Sequence, residues 1–192
     1  MSKEFIISAY TENHIGLLNR ITIVFTRRKV NIESLTVSES AISGVSKFTI
    51  VVKAEEEKVR KIVQQIEKLV EVLKAFYHSN EEMIYQEIAL YKVPTEALTK
   101  SNQIETLVRE HNARILEITK DYTVIEKTGH KEETQALFEG LNQFGVLQFI
   151  RSGRVAITRS PIEKLSVFLE MRDAQLASLE SSEETEELEY SV

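Results

Sequence analysis

The hydrophobic pattern of this chain switches between a repeat of two and a repeat near 3.6 in a fixed order, and then does so again. Glu4 to Tyr10 alternates Phe5, Ile7 and Ala9 against Ile6, as a strand does. After the polar break from Thr11 to Gly16, Leu17, Leu18, Ile21, Val24 and Phe25 recur at helical spacing. The basic triplet Arg27-Arg28-Lys29 suits that helix's C-terminus. Asn31 opens a second strand with Ile32, Leu35 and Val37, and Ser40 to Gly44 reads as a turn. A third strand, Ser46 to Val52, sets Phe48, Ile50 and Val52 against Lys47 and Thr49. Val59, Ile62, Val63, Ile66 and Leu69 then share one helical face, and Val72 to Tyr77 returns to a strand. The order βαββαβ predicts a ferredoxin-like plan, an antiparallel sheet with two helices on one face.

His78-Ser79-Asn80 breaks the pattern, and a matching order follows. Met83 to Val93 reads as a strand, and Pro94-Thr95-Glu96 starts a helix with Leu98, Ile104, Leu107 and Val108 inward. Ile115 to Ile118 and Tyr122 to Thr128 form two strands turning through Lys120-Asp121. Glu132 to Leu141 is helical, and Val146 to Ile157 reads as one last strand. The fold class expected is therefore α+β, with two ferredoxin-like domains over residues 1–79 and 80–159. A core of about 75–80 residues is marginal by itself, and an open sheet leaves two edges and one face bare. Packing of the halves on each other, or dimerisation, is the physical expectation.

Residues 160–192 are the remainder. Ser160-Pro161-Ile162-Glu163 has the form of a capping box with Pro at the first helical position. Ile162, Leu165, Phe168, Leu169, Leu176 and Leu179 keep one apolar face. From Ser181 onward the run is too acidic to bury anything, and disorder is expected there. The formal net charge of -6 belongs to this tail, which holds 9 acidic and 2 basic residues. The body from Met1 to Arg159 is nearly neutral, so it has no general field to attract nucleic acid or anionic lipid.

No window of the sequence is apolar enough for a membrane span, and the N-terminus lacks the form of a secretory signal. The chain contains 0 cysteines, which excludes disulfides and thiolate chemistry and suits the cytoplasm. His14, His78, His111 and His130 have no metal-ligand spacing. Glu117 and Glu126, in strands, are the remaining candidates for an acid–base pair, against simple alternation toward water. With 6 glycines there is no phosphate-binding loop, dinucleotide fingerprint or nucleophile elbow. The third strand lacks the aromatic pattern of an RNA-binding sheet. Neither catalysis nor a bound metal is expected of this chain.

One constellation carries chemistry. Asn13-His14-Ile15-Gly16-Leu17-Leu18 leaves a helix N-terminus at the end of the sheet, with Gly16 allowing close approach to the backbone. The first amides of a helix have no internal partner and can hold a carboxylate. Asn13 offers both donor and acceptor there, and Asn31 is expected close by. An amino acid's two charged groups could be bound this way. The same residues also read as an N-cap, a turn glycine and a strand-entry turn.

At these residues the sequence resembles a known family. Thr11-Glu12-Asn13-His14-Ile15-Gly16-Leu17-Leu18-Asn19-Arg20, followed by Arg28-Lys29-Val30-Asn31-Ile32-Glu33-Ser34-Leu35-Thr36-Val37, is similar to the ACT domain of the regulatory (small) subunit of acetolactate synthase, or acetohydroxyacid synthase. The second half resembles that family's C-terminal domain in Gln86 to Val93, Tyr122-Thr123-Val124 before Thr128-Gly129, and Arg151-Ser152-Gly153-Arg154. The resemblance covers about Phe5 to Arg159 and leaves the tail aside. It implies a non-catalytic partner of the catalytic subunit, dimeric through its ACT domains. It also implies activation of that subunit and feedback by valine in branched-chain amino-acid biosynthesis. Asn13, Gly16 and Asn31 match the family's effector positions, with His14, Ile15, Leu17 and Ile32 as neighbours. Thiamine diphosphate, FAD and magnesium would belong to the catalytic subunit, not to this chain. A free-standing ACT-type amino-acid sensor acting on another enzyme or regulator, and a catalytic ferredoxin-like enzyme, are the other readings.

Overall fold

The computed structural model describes residues 2–100 and 102–174, which fall in two compact units, Met1–Ile157 and Thr158–Val192. The architecture is α+β. In the first unit β1 (Lys3–Glu12), α1 (Leu17–Arg27), β2 (Ile32–Glu39), β3 (Val45–Ala54), α2 (Glu56–Ile66) and β4 (Val72–Ser79) build an antiparallel sheet in the order β2-β3-β1-β4. A short turn leads to β5 (Met83–Pro94), α3 (Thr95–Lys100), α4 (Gln103–Glu110), β6 (Arg114–Ile118), β7 (Tyr122–Gly129), α5 (Lys131–Asn142), β8 (Gln148–Arg151) and β9 (Val155–Thr158). Their sheet runs β6-β7-β5-β8, with β9 also on β5, so it repeats the strand order of the first.

Helices α1 and α4 stop in the same way. Val30 N–H donates to Phe25 O and Lys29 N–H to Thr26 O, a Schellman motif with Lys29 at φ 53. At the end of α4, Ala113 N–H donates to Val108 O and Asn112 N–H to Arg109 O, with Asn112 at φ 49. Each motif directs the chain back toward its sheet, and Val30 is buried as it arrives.

Three apolar clusters follow from the patterning. Phe5, Ile7, Ala9, Phe48, Ile50 and Val52 meet Ile21, Phe25, Val59 and Ile62 beneath α1 and α2. Ala89, Tyr91, Val93 and Ile125 meet Ile104, Leu137 and Leu141 beneath α4 and α5, where Tyr91 OH donates to Thr134 O at 2.6 Å. The third cluster joins the halves. Ile6 and Val51, on the face of the first sheet away from its helices, pack with Met83, Ala156 and Tyr85. The bare face expected of one half is thus covered by the start of β5 and by β9.

The last strand differs from its expected form. Val146 to Ile157 is not one strand but β8 and β9, interrupted at residues 152–154. Gly153 lies flat on β2, where a Cβ would stand 2.2 Å from Thr36 Oγ1 and 3.1 Å from Leu35 O. Arg154 turns inward and is 6% exposed. Its Nη1 donates to Glu4 Oε1 at 2.7 Å, its Nε to Glu87 Oε1 at 3.1 Å, and its N–H to Ser34 Oγ at 3.3 Å. The guanidinium also lies 4.1 Å over the Tyr85 ring. One arginine so ties β9's entry to β1, β2 and β5. The helix read from Pro94 is also divided, into α3 and α4, with Asn102 at the N-cap position of the second.

In the second unit, residues 164–174 are helical. The capping box expected at Ser160 does not form: Ser160 Oγ accepts from Ile162 N–H at 3.2 Å, and Val167 N–H donates to Glu163 O. The hydroxyl makes a tight local turn around Pro161 instead, so the helix begins after Glu163. Leu176, Leu179 and the acidic run expected to be disordered lie outside the described residues.

Candidate functional site

The junction of β1 and α1 carries the features a small anion requires. Gly16 occupies the N-cap of α1 at φ 83, ψ -4, a left-handed conformation that a side chain would strain. No side chain caps this helix and no acidic residue lies in its first turn. Leu17 N–H donates to His14 O at 3.3 Å, while the amides of Leu18 and Asn19 have no acceptor among the described residues. Those free N–H groups and the helix dipole leave partial positive charge at the surface.

Beside this terminus is a cavity of about 160 Å³, lined by Thr11, Glu12, Asn13, His14, Gly16, Leu17, Leu18, Val37, Ser46 and Phe48. It is smaller than the ~300–1,000 Å³ of drug-sized sites, a scale suited to one small metabolite. Leu17 and Phe48 form an apolar wall at 2% and 3% exposure. Asn13 is held in place by its N–H to Gly44 O at 3.1 Å. Glu71, from the neighbouring turn, pairs with Arg20. Its carboxyl is lowered from the usual range, chiefly by the hydrogen bond from Arg20.

Of the residues the sequence singled out, Asn13, His14, Gly16 and Leu17 come together here. Ile15 does not line the cavity and is 99% exposed. Asn31 and Ile32 are not near it in the same chain, which corrects the expectation that Asn31 lies close. β2 runs parallel to β1, Ile32 pairs with Val52 and Glu39 with Ser46, so Asn31 sits at the opposite end of the sheet. Seven residues of strand, about 23 Å, separate the two levels. Asn31 Nδ2 donates to Glu33 Oε1 at 3.2 Å. Sequence reasoning missed Thr11, Val37, Ser46 and Phe48. The alternation of β1 and β3 was the available signal, since it places Thr11 and Phe48 on one face.

The other charged places are internally matched. Glu126 pairs with Arg114 and accepts from Thr128 Oγ1 at 2.6 Å, which accounts for its burial, and Glu117 is exposed. A cavity of about 540 Å³ near residues 151–154 includes Glu4, Glu87, Arg151 and Arg154, already joined in ion pairs of 2.7–3.2 Å. Among the described residues no cluster of His, Asp and Glu could hold a metal ion, and no helix is long and apolar enough to cross a membrane.

A βαββαβ sheet with a glycine-opened first helix, followed by a second sheet of the same order, defines an ACT-domain protein with an added ferredoxin-like half. Comparison with known proteins narrows the class. Residues 7–74 match the family described as the AHAS small subunit-like ACT domain, and residues 86–160 that described as the small subunit of acetolactate synthase. The acetolactate synthase small subunit of Bacillus subtilis is 35% identical over 162 residues, covering 84% of this chain and 94% of that protein. That of Mycobacterium leprae is 36% identical, covering 81% and 91%. The crystal structure of the small subunit from Thermotoga maritima matches with a TM-score of 0.75 at 31% identity, over 83% of this chain and 99% of that one. The chain belongs to the acetolactate synthase small-subunit family.

Proposed function

We propose that this chain is the non-catalytic regulatory subunit of acetolactate synthase, activating the catalytic subunit and making it sensitive to valine. Residues 1–79 bind the effector and residues 80–159 form the second module. The observation that carries the reading is the uncapped N-terminus of α1 opening on a cavity of amino-acid scale. A carboxylate meets the free amides there, Asn13 and the cavity wall take the rest, and no charged side chain is needed.

A second copy completes the site. β2 is an edge strand, and an unpaired edge favours addition of another strand. Two β2 edges joined antiparallel about a two-fold axis set the start of one beside the end of the other. Asn31 and Ile32 of one copy then stand near Val37 and the Gly16 loop of its partner. The distance between them within one chain becomes proximity across the pair. Thiamine diphosphate, FAD and magnesium serve the reaction in the catalytic subunit. Valine acts by binding one arrangement of the pair better than another, and its effect is bounded by that difference, ~1–3 kcal/mol in typical cases.

Reconstitution tests the reading. Acetolactate formation by the catalytic subunit should rise when this chain is added and fall again with valine. Rates indifferent to both additions refute it. Valine binding by a chain that neither co-purifies with the catalytic subunit nor alters its rate would favour a free-standing sensor.

A further inference from the structure

We propose that the Thr11 hydroxyl is a direct contact to the effector, accepting a hydrogen bond from its ammonium group and selecting for an amino acid. This rests on the effector reading given above. Thr11 ends the inward row Phe5, Ile7, Ala9 of β1 and has 0% exposure. Its Oγ1 is buried and has no hydrogen-bond partner in the protein among the described residues. The two other threonines at 0% exposure do have partners: Thr123 Oγ1 lies 3.0 Å from Thr95 Oγ1, and Thr134 Oγ1 donates to Lys131 O at 3.0 Å. Burying a hydroxyl unpaired is unfavourable, and valine would fill the same shape without that penalty.

Thr11 alone, among the residues lining the 160 Å³ cavity, is both polar and buried. It lines that cavity with the apolar Leu17 and Phe48 and with Leu18, whose amide is free. An amino acid carries its two charges on one carbon. With the carboxylate on the amides, the ammonium is a pure donor that must find acceptors close at hand. The lone pairs of Thr11 Oγ1, together with Asn13 Oδ1, supply them. A 2-oxo acid of the same carbon skeleton has the carboxylate but no donor for Thr11, so the hydroxyl distinguishes the two.

Calorimetry on the full chain with valine and with 3-methyl-2-oxobutanoate tests this. Thr11→Val should bind valine about 10- to 150-fold more weakly, the loss of one hydrogen bond to a charged group. Its weak binding of the oxo acid should be unchanged, and Thr11→Ser should recover valine binding to within about twofold. Without ligand, Thr11→Val should melt at or above the parent temperature, because an unpaired polar group has been removed. A Thr11→Val chain with parental valine affinity overturns the hydroxyl contact alone. A clear fall in its ligand-free melting temperature overturns the unpaired state on which the contact rests. A parent chain that binds no valine overturns the effector reading, and this inference with it.

Discussion

Replacing Gly153 by alanine isolates the contact between the β8–β9 interruption and β2. The added Cβ would lie 2.2 Å from Thr36 Oγ1, 2.9 Å from Ser34 Oγ and 3.1 Å from Leu35 O. Two of these neighbours are side-chain hydroxyls, but Leu35 O belongs to the backbone of a paired strand and cannot turn aside. Overpacking of this kind costs about 1–3 kcal/mol. In a cooperative unit of this size that is about 3–10 °C in melting temperature. Thr36 Oγ1 is buried and has no hydrogen-bond partner among the described residues, so Thr36→Ala alone should stay within about 1 kcal/mol of the parent. The pair Thr36→Ala with Gly153→Ala should then recover part of the loss, because the shortest contact is gone while that to Leu35 O remains. Urea unfolding of the four proteins gives the coupling directly. A Gly153→Ala protein as stable as the parent, or a double variant whose losses simply add, would refute the close approach.

Gly16→Asp meets open space and bears only the cost of a positive φ, about 1–2 kcal/mol, partly offset by a carboxylate at the helix N-terminus. It should abolish valine inhibition in the reconstituted enzyme and leave activation intact; inhibition that persists removes Gly16 from the site. Asn31→Ala should weaken valine binding by about 0.5–1.5 kcal/mol without changing ligand-free stability, since among the described residues the Asn31 side chain hydrogen-bonds to the exposed Glu33 alone. An unchanged isotherm would exclude the two-copy site. The Glu4 carboxyl feels burial pushing it up, but hydrogen bonds from Asn80 and Arg154 and the arginine's charge bring it below the usual range. Its folded value is depressed, so its contribution is complete above the unfolded value of about 4.3 and is lost as pH falls through the folded one. Glu4→Gln should therefore flatten the acid limb of stability below about pH 4.3; identical acid limbs would show that the carboxylate is not held by Arg154.

Much of the fold was legible because local period reports local structure. Strands β1 to β4 and helix α2 lie where alternation and the spacing of Val59, Ile62, Val63 and Ile66 put them. What the sequence hid was long-range. Arg154 breaks the final strand because its partners, Glu4 and Glu87, are supplied from 150 and 67 residues away, and alternation carries no trace of them. Asn13 and Gly16 were readable as a helix start, since caps depend on neighbours. The position of Asn31 depends on the direction of β2 relative to β1, which no residue type encodes. Thr11 looked like the first residue of a polar break, and only the core beneath it makes its hydroxyl costly. Ser160 had the right partners in sequence for a cap, yet a nearer amide captured its oxygen.

Under the proposed pairing of two β2 edges, a recognition surface divided between the two ends of one strand would change what the protein reports. Neither protomer would own a whole receptor, so on dilution the ability to register the metabolite would disappear together with the assembly. Each closed pair would hold two equivalent crevices, and whatever filled them would act as mortar between the protomers. The cell's supply of end product and the abundance of this chain would thereby be read as one quantity.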